Sequence, residues 1–175
     1  MARTFSTASV TYTPFSKDPT ERLEEADLTT LVTQSVAEGY YVEYKRELPA
    51  APKIAKSIAA FANTYGGWYL VGVKTDQHNV AISIDGFLSE ESHDPIAVIR
   101  DAVRHHIDPV PLLFPQVVPL SGNRLACVVY VPGNQATPYV TKDGRIYRRT
   151  SDASEPVAEN NRYALDELVE RGRSA

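Results

Sequence analysis

The chain has 175 residues and a formal net charge of -4, from 18 Lys and Arg against 22 Asp and Glu. That length predicts one domain that buries a core without metals or disulfides, and a composition 43% hydrophobic and 23% charged is ordinary for a soluble globular protein. A single cysteine, the lack of any apolar run near the ~18 residues of a membrane helix and the absence of an apolar signal core in MARTFSTASV predict a cytoplasmic protein, while the acidic balance argues against broad nucleic-acid affinity but leaves room for local basic patches.

Residues 1–26, with alternating FSTASVTYTPF followed by SKDP and TERLEEAD, predict an N-terminal arm or an added strand, and the domain proper then occupies 27–175. DLTTLVTQSV reads as a short helix capped by Asp27, with Leu28, Leu31, Val32 and Val36 on one stripe. YYVEYKRE alternates and is aromatic, which predicts a strand. Val42 and Tyr44 then point one way, and Tyr41, Glu43 and Lys45 the other. APKIAKSIAAFANTYGG spaces Ile54, Ile58, Phe61 and Ala62 as a buried helical stripe and sets Lys53 and Lys56 together on the surface. Gly66 supplies the left-handed residue that ends this helix. WYLVGV follows as a buried strand, with NVAISIDGF as its partner across a turn near Asp76–Asn79.

A second long helix is predicted from Asp94, with Ile96, Ile99, Val103 and Ile107 inside and DPVP stopping it. LLFPQVVPL and RLACVVYVP predict an antiparallel pair turned at SGN. Pro115 and Pro119 cannot donate to a ladder, so the first of the two is an edge, and Cys127 in the second is a buried strand residue. PYVTKDGRIYRRT predicts a hairpin turned at Asp143–Gly144, with Arg145, Tyr147 and Arg149 on one face and Ile146 and Arg148 on the other. EPVAENNRYALDELVERGRS predicts a closing amphipathic helix. Short helices interspersed with hairpins predict an α+β fold: one compact domain, a mixed or antiparallel sheet, and helices packed on it.

The two-residue spacing of Glu43, Lys45 and Glu47 describes one polar strand face. A solvated edge, a phosphate-binding rail and part of an acidic metal site all share that pattern. Lys45, Arg46, Lys53 and Lys56, joined by Arg145, Tyr147, Arg148 and Arg149, would make a basic groove if the fold brings them to one side: cations for phosphates and an aromatic ring for bases. An ordinary charged hairpin has the same residues. Asn63 either bonds locally at its helix end or faces the site. His105 and His106 are adjacent on a helix and point in different directions, which argues against joint metal ligation, and His78 and His93 stand in loops without a visible partner.

Four pieces in order, EGYYVEYK (Glu38 to Lys45), IAAFANTYGGWYLVGV (Ile58 to Val73), PYV (Pro138 to Val140) and YRRTS (Tyr147 to Ser151), resemble the Schlafen-type Alba-like domain called AlbA_2. The resemblance covers roughly residues 38–151. It implies an α+β domain used in nucleic-acid binding and, in Schlafen proteins, a metal-dependent RNA-cleaving core of two such lobes, which a homodimer of this one-lobe chain would imitate. By the same resemblance Glu38 and Glu43 match the two acids of the nuclease element, and Lys45 the lysine that follows. The family's third acid comes just after the GV of the central strand. Here that place reads GVKTDQ, with Lys74 and Thr75 in the acidic pair's positions and Asp76 late. The implied site is Mg or Mn on Glu38, Glu43 and Asp76, with Lys45 stabilising developing charge. The altered third acid ranks RNA or DNA binding above cleavage of tRNA or another structured RNA. A regulatory protein-interaction domain with a degenerate site is the third reading.

Overall fold

The computed structural model describes residues 12–88, 94–133, 136–151 and 153–175. The first part of the predicted N-terminal strand and His93 lie outside these residues. The chain runs α1 (Glu25–Thr33), β1 (Val42–Lys45), α2 (Ala51–Asn63), β2 (Gly66–Val71), β3 (Val73–Thr75), β4 (Ala81–Ile84), β5 (Phe87–Leu88), α3 (Pro95–His106), β6 (Ile107–Asp108), β7 (Phe114–Leu120), β8 (Arg124–Pro132), β9 (Val140–Thr141), β10 (Tyr147–Thr150), β11 (Ala153–Ala158) and α4 (Arg162–Ser174). It is an α+β fold.

β8 is the axis of a five-stranded mixed sheet. It pairs antiparallel with β2 on one side and with β7 on the other, while β5 lies beside its first residues. β1 joins parallel to β2, which sets Glu43 opposite Tyr69. Because both faces are covered, β2 reads as an unbroken apolar run even though its side chains alternate. Tyr69 and Val71 meet Ile54, Ile58 and Phe61 of α2 and Ile99 and Val103 of α3. Trp68 and Leu70 meet Leu28 and Leu31 of α1, together with Phe15 and Leu23. β7 carries Pro115 and Pro119 and is an edge, and Cys127 is fully buried.

Several boundaries differ from expectation, each for a local reason. α1 starts two residues before Asp27, whose carboxylate instead accepts the Glu24 N–H at 2.7 Å from the third helical position, closing a capping box. NVAISI pairs with β3 rather than with β2. Gly72, at φ +100°, breaks the strand there, and a side chain on it would strike the backbone of Gly86. The Asp143–Gly144 turn exists, with the Gly144 N–H donating to the Thr141 carbonyl at 2.8 Å, but its two arms part: β9 pairs with β6 and β10 with β11. The end of α2 draws β10 away, because Asn63 Nδ2 donates to the Tyr147 carbonyl and Thr64 Oγ1 accepts the Arg149 N–H. EPVA, expected in the last helix, lies in β11, and α4 begins only after Asn161, which caps it.

Candidate nucleic-acid interface

The first acid–cation cluster lies under α2. Glu43 of β1 is fully buried, and both of its oxygens are engaged. Oε1 accepts from Ser57 Oγ of α2 at 2.6 Å and lies 2.9 Å from Lys45 Nζ; Oε2 accepts from Arg149 Nη1 of β10 at 2.5 Å. Arg149 is equally enclosed. Its guanidinium sits 4.8 Å from the Phe61 ring centroid and donates through Nε and Nη2 to the Gly39 carbonyl. Lys45 reaches on to Glu155 of β11 at 3.3 Å. Burial works against its charge, but Glu43 and Glu155 outweigh that and hold its pKa above the ordinary lysine value. The cluster joins β1, α2, β10 and β11, and its charges balance within it.

Glu38 stands at its edge, accepting the Tyr44 N–H at 2.7 Å. Burial raises its pKa to about 6; the Tyr44 bond opposes this, and the charge of Glu43 adds to it. Asp76 is engaged elsewhere. Its Oδ1 accepts the His78 and Val80 N–H groups at 2.8 and 3.0 Å, closing the turn between β3 and β4. Among the described residues no group of three or more His, Cys, Asp or Glu side chains is arranged to hold a metal ion. Mg or Mn would need free carboxylate oxygens, and Glu43 offers none as placed. The three acids implied as ligands therefore do not fit that role in this arrangement.

The expected basic groove splits in two. Lys45, Arg46, Arg148 and Arg149 are each held by a carboxylate, Arg46 loosely by Asp85 at 3.8 Å and Arg148 by Glu159 at 3.2 Å. Asn63 faces no site: it is buried, its Oδ1 accepts the Tyr139 N–H and its Nδ2 donates to the Tyr139 and Tyr147 carbonyls. Tyr147 is only 8% exposed, its hydroxyl donates to Asp143 at 2.8 Å, and Lys56 Nζ covers its ring at 5.3 Å from the centroid. It is a wall rather than an open stacking surface.

Lys53 and Lys56 do come together, on a groove of about 460 Å³ between the first turns of α2, the end of α3 and the 141–145 turn. Lys142 and His106 complete its basic lining. Among the described residues Lys53, Lys56, Lys142 and the exposed Arg145 make no ion pair. The Lys142 N–H donates to the His106 carbonyl at 2.9 Å, which fixes the turn against α3. α2 begins without a side-chain cap or an acidic residue in its first turn, and Lys53 stands there. A cation at a helix N-terminus is electrostatically disfavoured, and no acidic residue in the first turn of α2 offsets it. Sequence reasoning missed Lys142 because a lysine beside a turn glycine is an unremarkable solvent residue.

Residues 38–158 match the family model described as Schlafen, AlbA_2. Among solved structures the chain is similar to the DIP2311 protein from Corynebacterium diphtheriae, at 22% identity and TM-score 0.48 over 75% of this chain, and it spans only 26% of that protein's length. It is also similar to the N-terminal domain of a RecG-related protein from Nitrosomonas europaea, at 24% identity and TM-score 0.45, over 77% of this chain and 95% of that one. No curated protein matches it.

Proposed function

Because the chain belongs to the Schlafen AlbA_2 family, we propose that it is a nucleic-acid-binding domain that grips phosphates in the groove of Lys53, Lys56 and Lys142, with Arg145 at its rim. One observation carries this reading: Lys53, Lys56 and Lys142 line one open groove and make no ion pair among the described residues, its acidic lining residue Asp143 being bonded to the Thr141 and Tyr147 hydroxyls, while Lys45, Arg46, Arg148 and Arg149 are committed to ion pairs. Phosphate contacts of this kind supply affinity without sequence preference. We take the working compartment to be the cytoplasm, which the single buried Cys127 supports. No helix among the described residues is long and apolar enough to cross a membrane. A second copy of the chain would supply the second lobe of the two-lobed arrangement that the family resemblance implies.

The test is fluorescence anisotropy with labelled RNA and DNA across a salt series. Four phosphate contacts on a single strand give a log K against log salt slope of about -3. Lys53→Glu/Lys56→Glu/Lys142→Glu is expected to abolish measurable binding, and the corresponding triple alanine variant to flatten the slope by about 2. Unchanged affinity in both variants overturns the reading. Cleavage of tRNA or another structured RNA ranks below binding because Glu43 is sealed by Arg149 and Lys45. Manganese-dependent cleavage by the wild type that Glu38→Gln loses would reverse that order.

A further inference from the structure

We propose that Tyr12, Tyr40, Tyr41 and Tyr65 form a stacking platform for unpaired nucleobases, so that the ligand is single-stranded RNA or DNA rather than a duplex; this rests on the nucleic-acid reading above. The four rings come from three separate segments: the chain before α1, the turn before β1, and the turn between α2 and β2. They converge at the surface. Tyr12 stacks on Tyr41 at 4.8 Å between centroids, Tyr65 meets Tyr40 edge to face at 5.8 Å, and Tyr41 lies 6.2 Å from both Tyr40 and Tyr65. Tyr65 is 55% exposed and Tyr12 40%, with the other two half-buried. Among the described residues none of the four hydroxyls has a protein partner. The cluster thus offers open rings and unclaimed donors and acceptors together.

Hydrogen bonds to the backbone hold the segments that carry Tyr12, Tyr40 and Tyr41. The Trp68 N–H donates to the Tyr41 carbonyl at 2.7 Å, Trp68 Nε1 donates to the Tyr12 carbonyl at 3.0 Å, and Arg149 clamps the carbonyl of Gly39, next to Tyr40. A fixed aromatic surface loses little freedom on binding, and every base has a face to stack, so such a surface tolerates any sequence but needs its bases unpaired. The lysine groove lies along the first turns of α2, and Tyr65 comes two residues after Asn63, the last residue of that helix. From Lys53 to Asn63 α2 rises about 15 Å, a span that lets one strand set phosphates among the lysines and bases on the tyrosines.

The experiment measures anisotropy of labelled oligouridylate, oligodeoxythymidylate and an RNA duplex of equal length against the wild type, Tyr65→Ala, Tyr40→Ala, Tyr65→Phe and the lysine triple-alanine variant. Either alanine substitution is expected to weaken single-strand binding by roughly 5- to 150-fold and leave duplex binding unchanged, while Tyr65→Phe keeps most of the affinity. The RNA and DNA arms tell which strand is preferred. Tyr65→Trp gives a second readout even if an alanine variant misfolds, because Trp68, the native tryptophan, is fully buried: quenching of the new indole by the oligomer but not by the duplex supports stacking, and no quenching overturns it. Loss of single-strand binding in the lysine variant but not in the tyrosine variants overturns stacking and leaves the groove standing; the converse overturns the groove. Tyrosine variants that change only the sedimentation of the protein make the patch a contact between copies of the chain and overturn the proposal.

Discussion

Two charged regions flank α2 and meet opposite fates. Ser57 turns toward Glu43, Arg149 and Lys45, a cluster whose Glu43 and Arg149 side chains are fully buried; Lys56, its neighbour, turns toward an open groove with Lys53 and Lys142. The residue types are alike. What separates them is whether a carboxylate pairs with the cations. Where β1 delivers Glu43 to Arg149, the cation becomes part of the framework, tying elements far apart in the chain. Where no carboxylate pairs with them, Lys53, Lys56 and Lys142 keep their charges unpaired among the described residues, and like charges held together cost stability. A count of basic residues therefore overstates the unpaired charge that the fold leaves at the surface.

The largest effect that would break this contrast is at Glu43. Its removal leaves Arg149 buried without a counter-charge, and Glu43→Ala is expected to cost about 3–5 kcal/mol in urea unfolding. The double variant Glu43→Leu/Arg149→Met should recover most of that loss, because replacing both partners by apolar groups removes the uncompensated charge. A cost for Glu43→Ala below about 1 kcal/mol, the range of exposed pairs, would mean that the cluster is solvated and that the two regions do not differ in kind.

The parts of this arrangement that sequence alone revealed are those encoded locally. The stripe of Ile54, Ile58 and Phe61 gave α2, Asp94 gave the start of α3, and the prolines of β7 marked an edge, because each is a periodic or stereochemical signal within one element. The Lys53–Lys56 pair was legible for the same reason: three residues apart on a helix means one face. The pairing of Glu43 with Arg149 was not, since it spans 106 positions and depends on β10 leaving its own hairpin for the end of α2. β11 was hidden because Glu155 and Pro156 are poor strand formers and only its partner β10 makes it a strand. The tyrosines of GYY and NTYGG were visible as letters, but their convergence follows from the parallel register of β1 on β2.

A smaller effect sharpens the boundary of the sealed cluster. Burial lifts the Glu38 pKa from 4.5 to about 6. The folded state then holds the proton to a higher pH than the unfolded chain, so this contribution to stability is fully present below about pH 4.5 and is lost as pH rises through about 6. Glu38→Gln keeps an oxygen for the Tyr44 N–H and removes the titration. It is expected to be more stable than the wild type above pH 6 by on the order of 1 kcal/mol, the figure being reduced by solvent screening at a partly exposed group, and to lose the downward trend between those two pH values. Equal trends in the two proteins would show that Glu38 is solvated.

The smallest effect tests the other side of the contrast. Lys53 and Lys142 are exposed and Lys56 is half-buried over the Tyr147 ring, with ion pairs at none of them among the described residues. Replacing all three by alanine removes mutual repulsion and an unfavourable cation from the start of α2, against the loss of one cation–π contact worth about 0.5–1 kcal/mol at an exposed site. The terms nearly cancel, so the triple variant should unfold within about 0.5 kcal/mol of the wild type while its binding collapses. A substantial destabilisation would assign these lysines to the framework as well, and the distinction between charges that build this domain and charges that serve a ligand would fail where it matters most.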